Sequence, residues 1–416
     1  MKRLSVTVAA EAWRRAGLLA LVLVVLAVPN AGCSLFGGDD KKDESPVKLT
    51  DFKPTLRIKK VWDASLGKDS EYLRLALGPA SDGARIFAAA HDGKVSAFDA
   101  VKGKRLWRTK TKLRLSGGPA TDGEVVIVGS SDGEIVALKA ADGTQLWRTT
   151  VSSEVLAAPA MAPGLTLVRT VDGKLAALNL TDGSLRWFVQ QVMPRLSVRG
   201  TGAAVVVKDV VICGFDNGRL ASYALADGSP GWDLLLDPPS GRNEVERLAD
   251  INATIGSIGD DLYAVGYRGQ LTAVAVESGQ ALWSQDVRSY VGVAVDLQNV
   301  YVAGPSSELM ALSRQTGSEL WKHEQLKRRD ISGPTAFQNS VVVGDFEGYV
   351  HFFDVATGAP QARVRAGHDR VTVPPLVVND MLFVQTDGGD LAAFRQVQAA
   401  SEAKPLPEPQ PESPPR

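Results

Sequence analysis

Apolar and polar residues alternate in short bursts along most of the chain, and Asp-Gly turns separate the bursts. Residues 118–147, GPATDGEVVIVGSSDGEIVALKAADGTQLW, show the pattern at its most regular. Alternation over 125–128 and 135–138 predicts half-buried strands. Asp122-Gly123, Asp132-Gly133 and Asp142-Gly143 supply residues that tolerate the positive φ of tight hairpins. Such strands make a small antiparallel sheet that cannot bury both faces alone and needs copies of itself on either side.

The copies are present. The closing tryptophan recurs as Trp62, Trp107, Trp147, Trp187, Trp232, Trp283 and Trp321, at spacings of 45, 40, 40, 45, 51 and 38. An eighth place falls at Ala362, four residues after Gly358. The glycine of the middle hairpin recurs as Gly93, Gly133, Gly173, Gly218, Gly269, Gly348 and Gly389, with Ser307 in the remaining slot. Trp62 precedes any hairpin, and the hairpin at Gly389 has no tryptophan strand after it. Strand 58–64 is therefore expected as the outer strand of a last sheet whose other strands lie in 371–395. That pairing closes a ring and removes the open edges of a linear array. The expectation is an all-β fold, an eight-bladed β-propeller over residues 56–395.

Composition narrows the class. Across 416 residues, 44% are hydrophobic and 22% charged, ordinary for a globular chain, and the 40 glycines suit many short strands. A net charge of −1 gives no electrostatic argument for nucleic acid. Cys33 and Cys213 are too few for a disulfide scaffold, and Cys213, in the run VVIC, reads as a small core residue.

The N-terminus sets the compartment. Lys2, Arg3, Arg14 and Arg15 precede an apolar run over 17–28, followed by Pro29, Asn30, Ala31, Gly32 and Cys33. A basic start, a short apolar segment and small residues before a cut predict an export signal over 1–32. The run is shorter than the roughly 20 residues of a membrane-spanning helix. Ala31-Gly32-Cys33 resembles the end of a bacterial lipobox, with Asn30 where that pattern usually has Leu. This implies lipidation at Cys33, and Ser34 after it implies the outer membrane. Loss of four cations and one anion with the signal moves the net charge from −1 to about −4. Residues 33–55 are polar and aperiodic and are expected to form a flexible tether. Residues 396–416, rich in Pro, Glu and Ala, are expected to be a disordered tail.

Catalytic patterns are weak. Residues 129–133 match G-x-S-x-G, but that motif needs a strand-to-helix turn, and here it joins two strands. Its counterparts are Ala89 to Gly93 and Arg169 to Gly173. His91, His323, His351 and His368 fall in different repeats at non-equivalent positions, so no metal site is expected. No catalytic residue and no cofactor are expected.

The spacing Ala-Leu-x-x-x-x-Gly-x-x-x-Trp, as in Ala137-Leu138, Gly143 and Trp147, resembles the pyrroloquinoline-quinone-type (PQQ-like) propeller repeat. That resemblance implies structural tryptophans docked between neighbouring blades. It also raises a rival reading, a PQQ-dependent quinoprotein dehydrogenase. Many of those enzymes carry adjacent cysteines and are longer, and this chain has neither adjacent cysteines nor insertions that could roof a cofactor.

Function is expected where repeats depart from their average length, because insertions map to loops on one face. Two connections are long, 188–199 after Trp187 and 233–250 after Trp232, and both flank blade four. Arg199 and Asp250 stand nineteen residues before the hairpin glycines Gly218 and Gly269, which places them side by side on one rim. Leu196 and Val198 add apolar surface beside the Arg, the composition of a protein-binding hot spot. An export signal, an eight-bladed PQQ-like ring and the stretches 194–200, 244–252 and 342–350 resemble the BamB family. These are lipoprotein scaffolds of the outer-membrane β-barrel assembly machinery. The resemblance implies docking on a periplasmic POTRA domain of BamA through Leu196, Val198, Arg199, Asp250 and Asn252. Val198 stands where Leu is more usual, and Asn252 replaces an Asp. Unfolded barrel clients are a further partner the resemblance implies.

Overall fold

The computed structural model describes residues 45–67, 75–197 and 202–397. Thirty-two strands in these residues form eight four-stranded antiparallel sheets. Blade one occupies residues 80–110, blade two 115–150, blade three 160–190, blade four 205–235, blade five 256–285, blade six 293–323 and blade seven 335–365. In blade eight, Arg57–Ser65 pairs with Asp390–Val397, which pairs with Met381–Gln385 and then Leu376–Val378. The N-terminal strand thus closes the ring as the outer strand of the last blade, as the offset between tryptophans and hairpins predicted. Strand Asp390–Val397 runs two residues past the expected end of the propeller.

The core is not one mass but eight slabs, one at each junction between blades. Phe87, Leu115 and Val126 pack blade one on blade two, and Phe352, Leu382 and Phe394 pack blade seven on blade eight. Ile86, Phe98, Phe383 and Leu391 close the circle between blades eight and one. Each sheet has two apolar faces, and neighbours bury both.

One contact recurs at seven junctions and explains two residues of the repeat at once. Each tryptophan indole Nε1–H donates to a backbone carbonyl of the next blade, at 2.7–3.0 Å: Trp62 to Ala100, Trp107 to Ala140, Trp147 to Leu180, Trp187 to Leu225, Trp232 to Val276, Trp283 to Arg314 and Trp321 to Val355. The ring lies on the glycine of that blade's last turn. A Cβ on Gly183 would sit 2.5 Å from a Trp147 ring carbon, and its φ of 73° already favours glycine. Ala362 is the exception for a structural reason. Blade eight takes its outer strand from the N-terminus, so it has no last turn for a tryptophan of blade seven to rest on. A groove of about 760 Å³ lies there instead, between Leu56, Ile58, Ala362, Val364 and Val397.

Residues 46–55, part of the expected tether over 33–55, and Leu56 after them run beside blade seven. Val47 N–H donates to the Lys327 carbonyl at 3.1 Å, and the N–H groups of Thr55 and Leu56 donate to Gln361 O at 2.9 and 3.2 Å. Arg363 donates to Thr50 O at 2.9 Å and stacks on Phe52 at 5.3 Å. The strap thus occupies one backbone acceptor, Gln361 O, of the outer strand Pro360–Arg365.

Under the strap is a buried ionic cluster. Arg329 Nε and His351 Nε2 meet Asp345 Oδ2 at 2.8 and 2.9 Å. Arg329 also reaches Glu347 and donates to Val47 O at 3.1 Å. Burial pushes the His351 imidazole below its ordinary value of 6.5; Arg363 and Arg329 act the same way, and Asp345 opposes them. The unfolded chain therefore binds a proton near pH 6.5 that the folded chain does not, so stability is lost as pH falls from that value toward the folded pKa. Thermal melts from about pH 7.5 down to about pH 5 are expected to show a falling midpoint, and His351→Gln should flatten the decline. Equal slopes in both proteins would contradict this assignment.

Candidate partner-binding rim

In an antiparallel blade whose strands run from the channel outward, the middle hairpin and the blade-to-blade connection emerge on the same face. The two long connections therefore share a rim with the hairpin turns. The first leaves strand Leu185–Gln190 and enters Val205–Val207; the second leaves Pro230–Leu235 and enters Gly256–Ile258.

The first connection presents apolar surface. Leu196 is 41% exposed, Val192 is 84% exposed, and Phe188 is exposed at its start. The second contains a short turn locked by Asn243 and Glu246: Asn243 Oδ1 accepts from Glu246 N at 2.9 Å, and Asn243 Nδ2 donates to the Glu246 carboxylate at 2.9 Å. Between the connections lies a depression of about 410 Å³, walled by Val192, Pro194, Leu196, Glu244 and Arg247 with Asp216 on its lining. Beside it, Tyr267 and Tyr290 stack with centroids 4.9 Å apart, and Arg268 donates to Glu246 O at 2.7 Å. Exposed Tyr and Arg beside a concave seat are residue types that protein interfaces use at their centre.

The five residues expected as contacts do not share one environment. Leu196 stands on the surface. Asp250 was expected on the rim beside Arg199, but it is only 2% exposed. Its neighbours explain the difference: Ile251 N–H donates to Phe215 O at 3.2 Å and Tyr267 N–H donates to Asp250 O at 2.9 Å, drawing the segment under the rim. Asn252 is half-buried, and its Oδ1 accepts from Arg169 Nη1 at 3.1 Å. Val198 and Arg199 lie outside the described residues, as do Cys33, the export signal and residues 398–416.

Sequence reading missed the centre of this arrangement. Arg169 and Asp216 form a buried ion pair at 2.5 Å, and the guanidinium lies over the Phe215 ring at 5.2 Å. Burial pushes the Asp216 carboxyl up, against the opposing pull of Arg169, Ser197 and Asn252, all hydrogen-bonded to it. Cys213, buried beside them, has its thiol pushed up to about 11 by burial. A signal was available: at the end of its second strand blade three has Arg169, where other blades have Ala89, Gly129, Gly214, Val265, Ala303, Gly344 and Gln385.

No three His, Cys, Asp or Glu side chains among the described residues are grouped to hold a metal ion. No helix among them is long and apolar enough to cross a membrane.

The fold and rim define an eight-bladed propeller of PQQ-like repeats whose departures from the repeat are gathered around blade four. The family model for outer membrane protein assembly factor BamB matches residues 59–112, 91–323 and 307–401. The BamB of Pseudomonas aeruginosa is 44% identical over 382 residues, 92% of this chain and 98% of the relative. The BamB of Xanthomonas campestris is 37% identical over 405 residues, 93% of this chain and 99% of the relative. The chain belongs to the BamB family of outer membrane protein assembly factors. The crystal structure of BamB from Moraxella catarrhalis has the same fold, with a TM-score of 0.75 at 24% identity, covering 82% of this chain and all of that one. A quinohemoprotein alcohol dehydrogenase from Pseudomonas putida aligns with a TM-score of 0.67 at 12% identity, over 87% of this chain and 80% of its own, and shares the fold alone.

Proposed function

We propose that the chain acts as a non-enzymatic scaffold, held at the periplasmic face of the outer membrane by a lipid on Cys33. Its blade-four rim docks on a periplasmic POTRA domain of a BamA-like protein and so assists insertion of barrel proteins. The observation that carries this reading is the exposed Leu196, raised on an overlong connection at the edge of a concave seat. Leu196, Val198 and Arg199 supply the contact. Asp250 and Asn252 act from below by holding the segment against the ring.

The test is co-purification of a BamA-like protein from membranes with the full-length chain. Leu196→Glu and Arg199→Glu are expected to abolish capture while circular dichroism and melting stay as in wild type; Leu196 lies on a connection outside the blade strands. Wild-type capture by both variants would remove the rim from the interface.

A further inference from the structure

We propose that Arg169 is the positioning residue of the docking rim, a single buried guanidinium of blade three to which both long connections are tied; this rests on the docking reading above. The geometry supports a latch with three arms. Arg169 Nη2 meets Asp216 Oδ1 at 2.5 Å, and Arg169 Nη1 meets Asn252 Oδ1 at 3.1 Å. Asp216 also accepts from the Ser197 hydroxyl and the Asn252 amide. Ser197 directly follows Leu196 on the first connection, and Asn252 closes the second. One charge centre therefore fixes the near ends of both.

The arrangement is costly by itself. Arg169 and Asp216 are each 2% exposed, and ions taken out of water need several good partners to offset their lost hydration. The first connection leaves blade three's outer strand, but strand Leu165–Arg169 does not need an arginine for its own packing, since six of the other seven blades have a small or apolar residue at this place and the seventh has Gln385. The backbone around the latch is equally tight. Asn217 pairs with Ala249, and Asn217 Nδ2 donates to Val192 O at 3.4 Å. A Cβ on Gly214 would lie 2.4 Å from a side-chain carbon of Ile251. Segment 214–217 is thus held between the two connections, and Arg169 sets its charge balance from the neighbouring blade.

The experiment separates positioning from folding. Arg169→Met leaves Asp216 buried without its cation, and its blade can suffer. Arg169→Met combined with Asp216→Leu replaces the pair by apolar groups, a change commonly neutral or stabilising for the fold. Both are made in the full-length chain. One readout is affinity for the purified POTRA domains of the bacterium's own BamA-like protein; the other is amide hydrogen exchange. The double variant is expected to melt like wild type, to bind at least about tenfold more weakly, and to exchange faster at residues 192–197 and 249–252 but not in blade six. Arg169→Lys, which keeps the charge but not the fork, is expected to fall between wild type and the double variant. Wild-type affinity and wild-type loop exchange in the double variant would overturn the proposal. Faster loop exchange with unchanged affinity would uphold the latch and overturn the docking reading instead.

Discussion

Trp147→Ala is expected to lower the stability of the propeller by about 3–5 kcal/mol, the range for removing a buried aromatic side chain. The indole is 8% exposed and fills the junction between blades two and three against Ile127, Val168 and Leu178. It also donates to Leu180 O at 2.7 Å, so truncation strands a carbonyl that water does not easily reach. Chemical unfolding of the two proteins, followed by tryptophan fluorescence and circular dichroism, measures the difference. A loss below about 1 kcal/mol would mean that the junction is held elsewhere. Ala362→Trp is the matching control. Blade eight offers no last turn carrying the acceptor and the glycine seat, so adding an indole there is expected to bring no comparable gain.

That control shows how far the sequence could be read. Strands, turns and ring closure follow from features that repeat: apolar alternation, Asp-Gly pairs, and a tryptophan after each glycine. Repetition turns weak local preferences into a count, and the count was right even at Ser307, whose φ of 68° takes the hairpin place that glycine holds elsewhere. The long connections were visible for the same reason, as departures from a repeat of 40. The contents of the rim were not. Arg169, Asp216, Ser197 and Asn252 come from blades three and four and the two long connections, and no period relates them; only folding brings them together. Asp250 shows the opposite failure. Its numbering put it on the rim, but backbone bonds from Ile251 and Tyr267 drew the chain inward, where charge alone would have kept it in water. Residues 46–56 had no periodicity because a strap lying across a blade has no regular face to bury.

The second large effect lies at that strap. Asp345→Ala is expected to cost about 3–5 kcal/mol, the range for removing one partner of a buried ion pair. Asp345 is fully buried, and its Oδ2 receives both Arg329 and His351. Its Oδ1 accepts the N–H groups of Glu347 and Tyr349 at 2.9 and 3.0 Å, so the carboxylate also shapes the blade-seven hairpin. Burial raises its pKa, but the bonds and charges of His351 and Arg329 outweigh this and hold the carboxyl below its ordinary value. Stability from Asp345 is therefore present above the ordinary carboxylate pKa and is lost as pH falls through the folded value. Asp345→Asn keeps the hairpin acceptor but not the charge, and is expected to lose less than the alanine variant. Because Arg329 also holds Val47 O, the alanine variant should loosen the strap. Limited proteolysis in the 46–56 segment measures that, with faster cleavage than in wild type as the expected result. Unchanged cleavage together with a full loss of stability would confine the role of Asp345 to blade seven and separate the strap from the ionic cluster beneath it.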